Sequence, residues 1–420
     1  MASLSNFYLF FTLPEEMSLH IVSFLSAEDM CTLARTSRDL RRFSTENMLW
    51  RKLCKRNGWV VTRSTVHETP RPFDYKRYFT EKTLITKPGS LKWGDQGKTS
   101  GTMPSKRFKH SATVVGKHII FIGGQETDTK RFNEIVYFDS ETKSFSQPTI
   151  KGDKVPNFSR HTSTLVGSKI YVFGGFDGHG TNFDLSTFDP YSRTWTNVPK
   201  SAIKGISPPS RTNHASASVG KNMYIFGGNN NNEEGKYQVL DDLSMLDTLT
   251  MTWSRPKTTG TAPCARSGHT LTAIGKKLYL FGGGVWNERD GWVHKFNDLY
   301  ILDTETLHWT KAECQGKIDS STFPISFAIG RFLFVFGGGS KPLHSVTNDL
   351  YILDTATLTW SSPECEGNKP QPRDMGTASA VGDTVYFLGG YAGGAVEFFD
   401  RLAVSCGPVL ASTSTGSACN

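Results

Sequence analysis

Six heptapeptides decide the fold: KHIIFIG (117–123), SKIYVFG (168–174), KNMYIFG (221–227), KKLYLFG (276–282), RFLFVFG (331–337) and DTVYFLG (383–389). In each the closing glycine is doubled, and a further glycine stands seven residues before it, at Gly116, Gly167, Gly220, Gly275, Gly330 and Gly382. The doublets follow one another at steps of 51, 53, 55, 55 and 52 residues, close to the roughly 50-residue period of a four-stranded propeller blade. Almost no polar residue lies between the glycines. Both faces of each strand must then be buried, as happens where neighbouring sheets stack around a ring.

Working outward, a third strand follows each variable loop, as in NFDLSTFD (182–189), DDLSMLD (241–247) and NDLYILD (297–303 and 348–354). Trp195, Trp253, Trp309 and Trp360 each come six residues after the closing aspartate, with Phe145 in the same place in the first repeat. One large aromatic per repeat at a fixed position is packing chemistry, since it fills the gap between wedge-shaped sheets. The sixth repeat has no such residue after Asp400, but Trp93 precedes Arg107 by fourteen residues, much as Trp253 and Trp360 precede Arg266 and Arg373 by thirteen. Residues 90–94 are therefore expected to complete blade six. The segment 401–407, where Leu402, Val404 and Cys406 alternate, competes for that place.

Residues 12–58 read as helices. Thr12 is placed to cap the first, with Glu15 as reciprocal partner and Pro14 in the first turn; Met17, Ile21 and Leu25 form its apolar stripe, flanked by Leu13 and Phe24. Ser26 and Asp29 form a capping box for the second, with Met30, Leu33, Ser37 and Leu40 on one face. The third runs from a cap at Ser44 or Thr45, buries Leu49, Trp50 and Leu53, and stops at Gly58. Between this module and the repeats, residues 59–89 combine Pro70 and Pro72 with Phe73, Tyr75, Tyr78 and Phe79, too aromatic for a free linker. The boundaries read from the sequence are 10–58, 59–89, 90–405 and a tail at 406–420.

The formal charge of +8 is uneven: residues 1–60 carry +2, residues 61–110 carry +7 and the rest −1. A large nucleic-acid-binding face is not expected from that distribution. Seven cysteines, Cys31, Cys54, Cys264, Cys314, Cys365, Cys406 and Cys419, show no metal-ligand spacing and fit a reducing compartment. The opening MASLSNFYLFFTLPEE has no basic residue before its apolar run, and no stretch approaches 18 apolar residues, so neither a signal peptide nor a membrane span is expected.

The ordered series Leu13-Pro14-x-Glu16, Ile21, Leu25, Leu33, Ser37-Arg38 and Leu49-Trp50-Arg51-x-Leu53 resembles the F-box motif. The resemblance implies a small helical bundle docking on the adaptor subunit of a cullin–RING ubiquitin ligase, and through it on the cullin, with Leu13, Pro14, Ile21 and Leu25 contributing to the interface. F-box proteins often carry an aromatic and basic stretch after the third helix, which implies a second docking layer. The doubled glycines with their spaced aromatics resemble the kelch repeat over roughly residues 91–400. Together the two resemblances imply an all-β six-bladed kelch propeller preceded by a small all-α F-box three-helix module. The function implied is that of a non-catalytic receptor that brings an unknown protein substrate to ubiquitination, in the cytoplasm or nucleus. A kelch-type scaffold or cytoskeletal binder, and a propeller metalloenzyme, are the alternatives.

No catalytic, cofactor or metal residue is expected. Arg107, Arg211, Arg266 and Arg373, and His110, His161, His214 and His269, recur at equivalent places, and repetition in four blades argues for structure, because an active site breaks its scaffold's symmetry. Function is expected on the variable loops, above all 229–240 and 284–296, which emerge at one end of the ring. Within the second, Trp286, Arg289, Asp290, Trp292, His294 and Lys295 are the candidate substrate contacts, aromatic and arginine side chains being enriched at hot spots.

Overall fold

A computed structural model describes residues 14–36, 41–42, 45–57, 59, 73–86, 89–95, 99–181, 185–231, 236–287, 289–319, 321–340, 345–396 and 399–404. The expectations for Leu13, Thr12, Ser37, Leu40, Ser44, Gly58, Pro70, Pro72 and the tail fall outside them. The chain forms two compact units, one holding the helices and one the blades.

The helical unit contains α1 (Glu15–Val22), α2 (Ala27–Thr36), α3 (Asn47–Arg56) and α4 (Tyr75–Thr86). The capping box of α2 is formed as read: Ser26 Oγ accepts from Asp29 N at 3.1 Å, and Asp29 Oδ2 accepts from Ser26 N at 3.3 Å. Leu49, Trp50 and Leu53 are buried on α3. Three expectations are corrected. Pro14 is the N-cap of α1 rather than a first-turn residue, and Glu46, not Thr45, is that of α3. The first helix also ends at Val22, because Ser23 turns back and donates its hydroxyl to the His20 carbonyl at 2.6 Å, so Leu25 lies beyond the helix. The aromatic connector holds an unforeseen helix: Asp74 Oδ1 accepts from Arg77 N at 2.9 Å to start α4, and Phe79 packs 5.4 Å from Trp50 and 5.0 Å from Trp59. Asn47 locks the junction, donating to Phe73 O at 2.7 Å and accepting from Tyr75 N at 2.8 Å. Among the described residues no helix is long and apolar enough to cross a membrane.

The second unit is a six-bladed propeller. From inner to outer edge, blade one runs Ser111–Val115, His118–Ile122, Ile135–Asp139 and Ser144–Ser146, and blades two to five repeat this antiparallel order. Blade six takes Thr377–Val381, Thr384–Leu388 and Phe399–Val404 from the far end of the array and Leu91–Asp95 from its start. The amino-terminal strand thus closes the ring; of the competing 401–407 segment, residues 401–404 lie in the third strand and the rest falls outside the described residues. Trp93 is buried against Phe336 of blade five at 5.4 Å and Phe387 of blade six at 5.3 Å, just as Trp253, Trp309 and Trp360 are buried against Phe173, Phe226 and Phe281 of the preceding blade.

The connection leading into each blade first passes along that blade's outer edge. Lys151–Gly152, Lys204–Gly205 and Thr259–Gly260 pair parallel with the outer strands of blades two, three and four, and Ser100, Gln315 and Glu366 make the matching bridges in the other three. This covers edges that would otherwise offer unpaired backbone groups to another chain. The crossing is too close for a side chain: at Gly367, with φ 83°, a Cβ would lie 2.0 Å from the Trp93 carbonyl oxygen. Gly382 has φ 62° in a turn with nothing within 4 Å, so alanine there bears only the left-handed penalty of about 1–2 kcal/mol. In urea unfolding, Gly367→Ala should destabilise the ring by clearly more than Gly382→Ala; equal losses would mean that the edge crossing does not demand the glycine.

Candidate functional site

The repeated polar residues hold the blades together. Arg107, Arg211, Arg266 and Arg373 are fully buried, and each donates to the carbonyl of the first glycine of its blade's doublet, at 3.0, 3.0, 3.0 and 3.3 Å. Each also pairs with an acid at or near the start of the third strand: Glu134 at 2.5 Å, Asp242 at 2.8 Å, Asp298 at 2.6 Å, and Asp400. In blade five Ser321 replaces the arginine and donates to the equivalent Gly337 carbonyl at 3.1 Å.

Three of the histidines tie a blade to the one before it. His110, His161 and His214 share Nε2 hydrogen bonds with Thr377, Ser111 and Thr162 at 2.9, 2.8 and 2.9 Å. The hydroxyl position facing His269 is occupied by Ala215, and Pro324 stands where a histidine would meet Thr270; His269 Nε2 and Thr270 Oγ1 accordingly have no partner. Burial holds all four imidazoles far below their ordinary range, His161 and His269 down to about 3. Among the described residues no cluster of His, Cys, Asp or Glu could hold a metal ion.

The symmetry breaks at the end of the ring where the long loops emerge. Just before each inner strand stands one residue in the left-handed conformation: Lys109, Arg160, Asn213, Gly268, Phe323 and Met375. They line the mouth of the central channel, a cavity of about 170 Å³. On one side the rim is low, for the loops of blades one, two and six close with single bridges, Gln125 to Arg131, Phe176 to Thr181 and Tyr391 to Ala395. On the other side it is raised. Blade three carries the hairpin Asn229–Asn231/Tyr237–Val239, blade four Gly284–Asn287/Gly291–Lys295, and in blade five the two middle strands extend to nine residues each.

The six residues singled out in the 284–296 loop sit on the blade-four hairpin, but much of their surface is engaged locally. Trp286 and Trp292 face each other across the strands; the first packs on Tyr237 at 5.1 Å and the second on Phe323 at 5.9 Å. Lys295 donates to the carbonyls of Gly339 and Ser340 at 3.4 and 3.0 Å, bracing the hairpin against blade five. Asp290 N donates to Asn287 Oδ1 at 2.6 Å to close the tip, where Arg289 stands 93 % exposed; His294 is exposed beside Phe296. In the 229–240 loop Asn229 is engaged as well, its Oδ1 accepting from Asn213 Nδ2 at 2.9 Å.

Sequence reasoning missed a cluster of charges at the mouth itself: Lys109, Arg131, Arg160 and Asp374, with Phe176. They come from four distant segments, and each alone reads as a solvated charge. Burial draws the Lys109 ammonium down to about 7 and pushes the Asp374 carboxyl up to about 7, each shift being moderated by the other's charge.

The helical unit has its own asymmetric surface. The stripe read on α1 points outward: Ser18 and Val22 are the buried positions, while Met17 is 52 %, Ile21 46 % and the following Phe24 69 % exposed. Pro14 is also exposed, and Leu25 is half-buried.

Comparison with known proteins agrees with both units. The sequence profile of the KLHDC2/KLHL20/DRC7 Kelch-repeats domain matches residues 74–283 and 199–390, and an F-box-like profile matches residues 10–56. Kelch domain-containing protein 3 of Rattus norvegicus is 29 % identical over 313 residues, covering 68 % of this chain and 78 % of that protein. Acyl-CoA-binding domain-containing protein 4 of Arabidopsis thaliana is 30 % identical over 61 % of this chain and 39 % of its own length. The solved structure titled "Structure of YjhT" superimposes with a TM-score of 0.56 at 16 % identity, over 71 % of this chain and 95 % of that one, which speaks to fold alone.

The buried histidines make a pH prediction. An unfolded histidine binds a proton below about pH 6.5, whereas His161 and His269 in the fold stay neutral down to about 3. Their stabilisation is complete above the unfolded value and is lost progressively as pH falls toward the folded one. Thermal stability should fall between pH 6.5 and 5, above the main carboxylate range, and His161→Gln should flatten that fall by close to one proton. A wild-type profile level through this window would contradict the assignment.

Proposed function

Because the chain belongs to the kelch-repeat family and carries an F-box-like segment ahead of its propeller, we propose that it is a substrate receptor of a cullin–RING ubiquitin ligase, acting in the cytoplasm or nucleus. Residues 10–58 are the docking module and 90–405 the ring that selects a protein. Such a receptor makes and breaks no bond. It raises the effective concentration of substrate beside the ubiquitin-conjugating enzyme by holding both on one frame.

The observation that carries this reading is the outward apolar strip of α1 inside the F-box-like segment. F-box domains dock on the ligase adaptor, and a helix that presents Met17 and Ile21 to solvent while burying Ser18, with Phe24 exposed in the turn after it, is shaped for a partner rather than for its own core. Pro14, Ile21 and Leu25, with Leu13 ahead of them, are the proposed adaptor contacts. On the ring, the raised hairpins form the proposed substrate wall, with Trp286, Arg289, Asp290, Trp292, His294 and Lys295 on it; Arg289, Asp290 and His294 are the exposed members.

Ile21 is exposed, so a change there should alter stability by no more than about 0.5 kcal/mol. Ile21→Asp, and separately the Leu13→Ala/Pro14→Ala pair, should remove the adaptor from the purified protein while helicity and propeller melting stay as in wild type. Retained adaptor with the module still folded would refute the docking role. Replacing Trp286 and Trp292 by Ala should cost substrate affinity about 2 kcal/mol or more while adaptor binding persists; intact substrate capture in that variant would leave both side chains as packing for Tyr237 and Phe323.

A further inference from the structure

The cations at the low side of the rim are built unlike the four arginine clamps of the propeller. Arg107, Arg211, Arg266 and Arg373 each meet an acid. Among the described residues, Lys109, Arg131 and Arg160 have no acidic side chain within ion-pair distance, although they are half-buried and lie close enough to repel one another. The Nε atoms of Arg131 and Arg160 are enclosed and make no hydrogen bond. Both guanidinium groups lie over a single ring, Phe176, at 4.7 and 5.4 Å. Desolvated like charges stacked on one aromatic are costly until an anion joins them.

The scaffold does not ask for these side chains. At the six mouth positions the structural work is done by the backbone, and the residues there are Lys, Arg, Asn, Gly, Phe and Met. Arg160 and Lys109 are free choices of this chain, and Arg131 stands in the loop of blade one. The nearby acids do not cancel them. Asp374 is buried with one carboxylate oxygen unpartnered, and Lys109, Arg131, Arg160 and Lys295 set against Asp128 and Asp374 leave two formal positive charges.

We propose that Arg131, Arg160 and Lys109 form an anion subsite that takes two side-chain carboxylates of an acidic segment in the protein substrate, with the hairpin wall of blades three to five taking the apolar residues beside them. A planar carboxylate meets a guanidinium through two parallel N–H bonds, and with the Nε atoms enclosed the terminal Nη groups of these half-buried side chains are the edge left for it. Two such edges match two carboxylates and the two surplus charges. The channel cavity of about 170 Å³ is below the roughly 300 Å³ at which pockets that engulf a small ligand begin, so it admits side-chain heads of a segment lying across the low rim. Nucleic acid is disfavoured, since residues 111–420 carry a net charge of −1 and offer no extended basic track.

This assignment rests on the receptor reading, and its test is independent of the adaptor. Immobilised full-length protein is panned with a random twelve-residue library displayed so that both ends of the insert are blocked. Enriched sequences should carry two Asp or Glu residues within a few positions of an aromatic or aliphatic residue. Synthetic amidated peptides from that set should bind at least tenfold more weakly to Arg131→Gln/Arg160→Gln, and to Arg131→Gln alone, which does not touch the mouth ring. Lys257→Gln, an exposed cation on a connection between blades, should bind as wild type. Arg131→Lys/Arg160→Lys should recover part of the affinity through charge without paired bonds. Absence of acid enrichment, affinity unchanged in the glutamine variants, binding that requires a free C-terminal carboxylate, or preference for phosphoserine over Asp at the same positions would each overturn it. Adaptor co-purification measured on the same samples reports separately on the receptor reading.

Discussion

Everything in the propeller is referred to one closed circuit of backbone hydrogen bonds. Lys109 N donates to Met375 O, Arg160 to Lys109, Asn213 to Arg160, Gly268 to Asn213, Phe323 to Gly268 and Met375 to Phe323, at 2.7 to 3.2 Å. All six residues hold φ between 54° and 64°. For the five that are not glycine that conformation costs about 1–2 kcal/mol each, and six hydrogen bonds return about 1 kcal/mol net apiece. The circuit therefore contributes little stability by itself. Its effect is positional: six sheets packed through apolar faces could slide or splay, and a closed cycle of directional bonds sets one angle and one height for every inner strand. The histidine-to-hydroxyl bonds one step along those strands repeat the same constraint between neighbours.

At the outer edge the constraint changes character. There the ring is closed by chain connectivity, with Leu91–Asp95 and Phe399–Val404 meeting in blade six from opposite ends of the array, and by the edge-crossing connections. Gly101, Gly152, Gly205, Gly260, Gly316 and Gly367 each face the carbonyl of an outer-strand aromatic, Phe145, Trp195, Trp253, Trp309, Trp360 and Trp93 in turn. That Gly367 meets Trp93 as the other five glycines meet their own aromatics makes the amino-terminal strand equivalent to the rest.

What could be read from the sequence follows from how far apart the deciding residues stand. The blade count, the strand order and the role of Trp93 are short-range periodic signals repeated six times. The capping box at Ser26 and Asp29 and the buried face of α3 are local. The edge glycines were also legible, at steps of 51, 53, 55, 56 and 51 residues, but they were hidden beside the more conspicuous doublets. The α4 helix escaped because its aromatics suggested a docking layer before they suggested a helix. The outward turn of the α1 stripe was invisible, since periodicity says that a face is apolar and not which side it seeks. The mouth cluster was hidden most completely, as Lys109, Arg131, Arg160 and Asp374 meet only when blades one, two and six are brought around the axis.

That difference has a physical root. Sixfold repetition can encode only what blades share, so the edge glycines and the backbone circuit are written six times and the arginine clamp four. A binding surface must distinguish one partner from others, and it cannot do so with six equal copies. The molecule resolves this by assigning the circuit to main-chain atoms, which leaves the side chains at the channel mouth free to differ. Two adjacent positions then carry unpaired cations, one carries the phenyl ring that supports Trp292, and three blades raise hairpins while three stay low. Selectivity is thus placed where the scaffold is indifferent to side-chain identity, next to the part of the scaffold that is held most rigidly.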